Sequence, residues 1–202
     1  MSKVILPNLK SLHMFENQKI LITGGTGSLG TVLTARLLKT NVDTIRIFSR
    51  DELKQSQMEL QFNNDRLRFL IGDVRDKERL EKAVEDVNIV IHTAALKQVP
   101  VIEYNPFEAI KTNVQGSQNL VDACLEKDVE FALAIGTDKA VSPFNTYGAT
   151  KLLMERLFVS ANYHKGAHKT KFACVRYGNV LGSRGSIIPK FIDQIISGKK
   201  IT

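Results

Sequence analysis

Residues 136–151 read GTDKAVSPFNTYGATK. Thr137, Asp138 and Lys139 stand together, Tyr147 follows further along, and Lys151 comes four positions after the tyrosine. Residues four apart share one face of a helix, so Tyr147 and Lys151 are neighbours. An ammonium one turn from a phenol favours the phenolate, and the spacing predicts a lowered Tyr147 pKa. A phenolate is a base that can take a hydroxyl proton while hydride leaves the carbon bearing that hydroxyl. The Thr137 hydroxyl, at the end of a strand, can hold the same oxygen.

Hydride transfer requires an acceptor, and residues 23–30, TGGTGSLG, offer a place for one. Gly24, Gly27 and Gly30 form a G-x-x-G-x-x-G pattern between a strand and a helix. Glycine there permits a tight turn, close approach of the backbone to a pyrophosphate, and close helix–strand packing. Gly24, Gly25, Thr26, Gly27, Ser28 and Gly30 are the expected cradle, with helix N–H groups facing the phosphates. At the end of the second strand, NAD sites usually carry an acidic residue; this chain has Ser49 and Arg50, with Lys54 one turn on. A hydroxyl and cations suit a 2′-phosphate, so NADP is expected over NAD. The alternative is a surface arginine paired with Asp51. Asp73 after the third strand can accept from an adenine amino group while Val74 packs on the ring; the alternative is a helix cap. Thr93, Ala94 and Ala95 end the fourth strand, small enough to let a cofactor lie across it.

These groups need a scaffold that brings strand ends together. Short apolar runs alternate with helical patterns along the chain. Strands are expected at 19–23, 44–49, 67–73, 87–95, 131–137 and 171–180. Helices are expected after the glycine turn, with Leu29, Val32, Leu33 and Leu37 on one side, and over 51–62, 77–85, about 107–127, 146–163 and from 187. A loop carrying Pro100 and Pro106 precedes the fourth helix. Several strands are apolar on both faces, which requires cover on both sides. The expected fold is a doubly wound parallel α/β sheet, Rossmann-like, with residues 1–18 as an N-terminal extension and 19–202 as an NADP-binding domain.

Composition narrows the partners. The 202 residues are 43% hydrophobic and 24% charged, with a net charge of +7. Scattered Lys and Arg suit a soluble surface or an anionic ligand, and no basic stripe interleaved with aromatics argues for nucleic acid. Cys124 and Cys174 lie in apolar-periodic segments and are expected as buried, reduced packing residues. The sequence offers no metal-ligand cluster, no apolar run long enough to span a membrane and no signal-peptide pattern, so a cytoplasmic location is expected.

The Thr, Tyr-x-x-x-Lys and TGxxGxxG set resembles the short-chain dehydrogenase/reductase superfamily, in its extended, sugar-nucleotide branch. Asp138 and Lys139 exceed what a simple dehydrogenase needs. Elimination of water requires one group to remove a carbon-bound proton and another to protonate the leaving hydroxyl. Oxidation to a 4-keto sugar acidifies C5–H; Lys139 can then act as base at C5 and Asp138 as acid on the C6 oxygen. The alternative is a structural Asp–Lys pair.

The segments TGGTGSLG, SRDELKQ, IGDVRD, AALKQVP, EYNPFEAIKTN, TDKA, YGATK and RYGNVLGSRGS together resemble the inverting UDP-N-acetylglucosamine 4,6-dehydratases. The resemblance runs from about Met14 to the last residue. It implies Lys97 near cofactor and substrate, and Asn179, Val180 and Arg184 on the nucleotide sugar, where a guanidinium suits a diphosphate. A homo-oligomer is expected. Gly136 stands where such proteins often carry serine. They start near Met14 and continue past Thr202 into a substrate-capping domain, so a truncated chain is expected. A sugar-nucleotide epimerase or 4-reductase, and a non-catalytic dinucleotide-binding module, are the competing readings.

Overall fold

The structure, a computed structural model, describes residues 13–183 and 186–201. Six strands, β1 (Lys19–Thr23), β2 (Thr44–Ser49), β3 (Leu67–Ile71), β4 (Ile89–His92), β5 (Phe131–Ile135) and β6 (Lys171–Val175), form one parallel sheet in the order β3-β2-β1-β4-β5-β6. The order reverses between β1 and β4, so a crevice opens at the carboxyl ends of these strands. Ile20–Ile22 of β1 and Ile89–Ile91 of β4 are apolar on both faces because alternate residues enter two cores. Ile20, Ile22, Ile45, Ile47, Ile89 and Ile91 pack with Leu37 of α1 (Ser28–Leu37) and Met58 of α2 (Glu52–Phe62). Leu21, Phe48 and Val90 pack on the other face against Leu80 of α3 (Lys77–Val84), Leu120 of α6 (Gly116–Glu126) and Met154 and Phe158 of α7 (Thr146–His164).

The expected doubly wound fold is therefore observed, with shorter strands. β3, β4, β5 and β6 stop at Ile71, His92, Ile135 and Val175, so Asp73, Thr93, Thr137 and Asn179 stand on the loops beyond them. The stretch expected as a loop contains α4 (Val99–Tyr104), and the expected fourth helix opens with α5 (Pro106–Ala109); each has a proline in its first turn, where a missing N–H is harmless. The long fourth helix is interrupted by a π-helical turn, Ile110–Gln115, before α6. On α1 the buried face runs through Gly30, Thr34 and Leu37, and Val32 is exposed. Thr34 tolerates burial because its hydroxyl donates to Gly30 O at 2.9 Å. Cys124 is buried as expected, whereas Cys174 is only half-buried. α8 (Ile187–Ile196) presents no buried residue.

Candidate active site

The glycine turn is shaped by close approach. Gly24 has φ +66°, and a Cβ there would stand 2.8 Å from the Ala94 backbone. A Cβ on Gly30 would stand 2.3 Å from Gly25 O, so only glycine lets α1 sit this near the turn. Asp51, Asp76 and Asn145 cap α2, α3 and α7 with side-chain acceptors, whereas Gly27 brings none to the start of α1. A cradle of this shape, with a helix N-terminus opening on it, fits a dinucleotide pyrophosphate. Gly24, Thr26, Gly27 and Ser28 line a cleft of about 930 Å³ that continues along the strand ends. Gly25 and Gly30 lie behind it as packing residues.

The same cleft is lined by Ser49, Arg50, Lys54, Asp73, Val74 and Thr93. Arg50 pairs with Asp73 at 3.6 Å rather than with Asp51, which pairs with Lys54 and caps α2. Asp76, not Asp73, caps α3. Burial works to raise the Asp73 pKa, but hydrogen bonds and charge from Arg75, with Arg50 adding, hold it below the ordinary value. Arg75 bonds Asp73 Oδ2 at 2.7 Å and Glu108 at 3.0 Å, so the Asp73 carboxylate is already engaged at this end of the cleft. The Thr93 hydroxyl turns away to donate to Thr23 O at 2.7 Å.

At the other end, Thr137 follows β5 and starts a short 3₁₀ turn, Asp138–Ala140. Thr137 Oγ1 donates to Asp138 Oδ1 at 3.0 Å. Lys139 Nζ reaches Asp138 Oδ1 at 3.1 Å and Asn179 Oδ1 at 3.0 Å, joining the β5 end to the loop after β6. The hydrogen bond from Lys139, then that from Thr137, lowers the Asp138 pKa, so the free protein holds a carboxylate there. Tyr147 opens α7; its position is set by Asn145, which caps Gly148 N at 2.8 Å, and by Glu103, which accepts from Thr146 N and Oγ1 at 2.6 and 3.1 Å. Thr137, Lys139, Tyr147, Lys97, Asn179 and Val180 all line the cleft; Arg184 falls outside the described residues.

Lys151 departs from expectation. It is 4% exposed, does not line the cleft, and its Nζ lies 3.7 Å from Met154 Sδ. Burial pushes its pKa down to about 8, against the pull of Cys174 and Glu155. The Tyr147 pKa is raised, not lowered: burial outweighs the hydrogen bond with Thr137, and Tyr177 and Asp138 push the same way as burial. Four-residue spacing placed the two residues on one side of α7 but could not fix where the lysine stem bends.

Sequence reasoning missed several polar groups. Asn113, in the π-helical turn, clamps the loop before Lys97: Oδ1 accepts from Leu96 N at 2.8 Å, and Nδ2 donates to Leu96 O at 3.0 Å and to Thr150 Oγ1 at 3.1 Å. His92 is buried in β4 between Thr23 Oγ1, at 2.7 Å, and Ser117 Oγ, at 3.1 Å. Burial, then the charge of Lys151, pushes its pKa down to about 3, so the ring is neutral. Ser117 spends its proton on Asn113 O, so His92 Nε2–H donates to Ser117 and Nδ1 accepts from Thr23. Glu155 and Arg176 form a two-pronged ion pair, 2.7 Å at its shortest, behind Gly136. An asparagine and a histidine inside otherwise apolar patterns were the available signals. Among the described residues, no cluster could hold a metal ion, and no helix is long and apolar enough to cross a membrane.

The family model of the polysaccharide biosynthesis proteins matches residues 20–202. The chain belongs to that family. Among its relatives, the UDP-N-acetylglucosamine 4,6-dehydratase (inverting) of Campylobacter jejuni is 55% identical over 93% of this chain and 56% of its own length. A protein named UDP-glucose 4-epimerase from Rickettsia rickettsii is 46% identical over 94% of this chain and 57% of its own. The chain thus spans little more than half the length of these family relatives. Among solved structures, Pen from Bacillus thuringiensis aligns with a TM-score of 0.91 and 44% identity, over 93% of this chain and 58% of that one. A Bacillus cereus UDP-glucuronic acid 4-epimerase, in complex with UDP-glucuronic acid and NAD, aligns with a TM-score of 0.80 and 25% identity, over 91% and 64%.

Proposed function

We propose that this chain carries the cofactor cradle and reacting side chains of a nucleotide-sugar 4,6-dehydratase, acting on UDP-N-acetylglucosamine with inversion at C5. The observation that carries the reading is Lys139, which lines the cleft on the turn after β5 beside Thr137 and Tyr147 and bonds Asp138 Oδ1 at 3.1 Å; Asp138 itself stands behind Lys139 and does not line the cleft. A nicotinamide dinucleotide in the cradle supplies the site that accepts hydride from C4 and returns it to C6. NADP is favoured over NAD by Ser49, Arg50 and Lys54 at the rim; the acidic residue that would hold ribose hydroxyls is replaced there by a cation.

Tyr147, once ionised, takes the C4 hydroxyl proton while Thr137 holds the same oxygen. Lys151 acts from within the core, where its charge is available to the site only below about pH 8. Lys139 removes the proton from C5, and Asp138 protonates the departing C6 hydroxyl. The resting pair is ammonium and carboxylate, whereas the working pair is amine and carboxylic acid. The two differ by one proton passing across the 3.1 Å contact, with no change in total charge. Displacement of water by the sugar favours the neutral form, because burying charge is costlier than burying its neutral partner. Lys97, Asn179, Val180 and Arg184 are assigned to the nucleotide sugar.

A second reading, 4-epimerase, is favoured by the Rickettsia relative. It uses Thr137 and Tyr147 and leaves Asp138 and Lys139 without a chemical role. Incubation of the chain, and of the chain extended to its relatives' length, with UDP-N-acetylglucosamine and NADP separates the two. A 4-keto-6-deoxy product supports the dehydratase, and a C4 epimer with C6 oxygen retained overturns it.

A further inference from the structure

Gln55 is a polar side chain that the mechanism does not use. It lies on α2, is buried to 5% exposure, and aims its amide at the end of β2. Its Nε2 stands 2.9 Å from Leu70 O, 3.1 Å from Ser49 O and 3.0 Å from Ser49 Oγ. Two carbonyl oxygens in this cage fix which end of the amide points inward, because only the NH₂ can face them. An NH₂ group donates and cannot accept, so the Ser49 hydroxyl cannot send its hydrogen toward Gln55. Ser49 O is already occupied by Gly72 N at 3.1 Å as well as by Gln55. Among the described residues, the Ser49 hydroxyl makes this one hydrogen bond, as an acceptor. Its hydrogen is left for the cleft that Ser49 lines, beside Arg50.

We propose that Gln55 is a specificity-determining positioning residue: it orients the Ser49 hydroxyl as a donor into the cleft, where it recognises an acceptor-only anionic group, the 2′-phosphate of NADP. The inference rests on the NADP reading above and adds to it the residue that sets the direction of the hydroxyl. A phosphate oxygen accepts only and carries charge, so a pre-aimed donor favours it over a ribose hydroxyl, whose hydrogen must first be turned aside. Loss of Gln55 removes the donor that fixes the Ser49 hydroxyl, whose hydrogen is then free to turn away from the cleft.

The test is calorimetric titration of the 202-residue chain with NADP and with NAD, for wild type, Gln55→Met, Ser49→Ala, the double variant and Arg50→Ala. A hydrogen bond to a charged group corresponds to roughly a tenfold change in affinity or more. Gln55→Met and Ser49→Ala should each weaken NADP about tenfold, leave NAD nearly unchanged, and combine without further loss, as expected of residues acting through one contact. Equal weakening of both dinucleotides by Gln55→Met would mark a merely structural role and overturn the inference, as would an unchanged NADP affinity. Gln55→Met removes a buried donor from Leu70 O and Ser49 O, so circular dichroism must confirm its fold. Should it not fold, Ser49→Ala decides alone, and an unaltered preference there overturns the inference. Wild type with no preference for NADP, together with a silent Arg50→Ala, sinks the NADP reading itself rather than the role of Gln55.

Discussion

Lys139 Nζ stands 3.0 Å from Asn179 Oδ1, so a side chain on the turn after β5 is steered by a residue on the loop after β6. The contact keeps the ammonium from folding wholly onto Asp138, its other partner at 3.1 Å. Asn179→Ala should therefore slow elimination by roughly tenfold, the effect of misplacing a proton-transfer group. Affinity for the dinucleotide should stay nearly unchanged, because Asn179 is assigned to the nucleotide sugar and not to the glycine cradle. Product formation and cofactor titration on the same preparation check both halves.

Tyr147 predicts a rising pH profile. Burial first, with Tyr177 and Asp138 adding, raises the phenol pKa against its hydrogen bond to Thr137. Below that pKa the phenolate fraction, and with it the rate of C4 oxidation, should climb about tenfold per pH unit. Single-turnover absorbance of the reduced cofactor, in the chain extended to its relatives' length, gives the profile. Tyr147→Phe should lower the rate by about 10²–10⁴ and remove the slope; a flat wild-type profile contradicts the assignment.

Lys151 sets a stability prediction of definite sign. Its pKa falls from the ordinary lysine value to about 8 on folding, through burial, with Cys174 and Glu155 pulling the other way and neutral His92 nearby. Between about pH 8 and that ordinary value the unfolded chain holds more protons, so wild-type stability rises with pH across this window. Lys151→Met removes a buried charge and should stabilise the fold at pH 7 by about 1–2 kcal/mol. Its advantage should shrink above pH 8 as the wild-type lysine loses its proton. Paired thermal melts at pH 7 and pH 10 test this, and an advantage independent of pH would count against it.

Gly136 predicts a steric cost. A Cβ there would stand 2.2 Å from Glu155 Oε1 and 3.0 Å from Val175 O. Glu155 cannot easily swing away, because it is buried and tied to Arg176. Gly136→Ala should destabilise by about 1–3 kcal/mol, the usual range for overpacking. Urea denaturation measures it, and a midpoint equal to wild type would show that the ion pair yields.

The sheet was legible because Ile20, Leu21 and Ile22, like Ile89, Val90 and Ile91, leave no polar face on their strands. The cradle was legible because TGGTGSLG sits where a strand meets a helix. Strand ends were overextended: residues such as Gly136 keep a ladder-like bond, 2.6 Å to Val175 O, after regular pairing has stopped. The clamp by Asn113 and the pairing of Arg50 with Asp73 were not legible, because each joins elements far apart in sequence. Lys151 shows the limit most clearly: its register on α7 was correct, yet packing against Met154, not distance along the helix, decides where its charge lies.

The most direct test of the account follows C5 hydrogen. The chain extended to its relatives' length, carrying Lys139→Ala, is given UDP-N-acetylglucosamine in deuterated water. The account predicts that bound cofactor is still reduced, since Thr137 and Tyr147 remain, while C5 exchanges little deuterium and almost no 6-deoxy product forms. Dehydration and exchange at the parent rate would place the base elsewhere and contradict the assignment of Lys139; loss of cofactor reduction as well would make the Asp138–Lys139 pair structural.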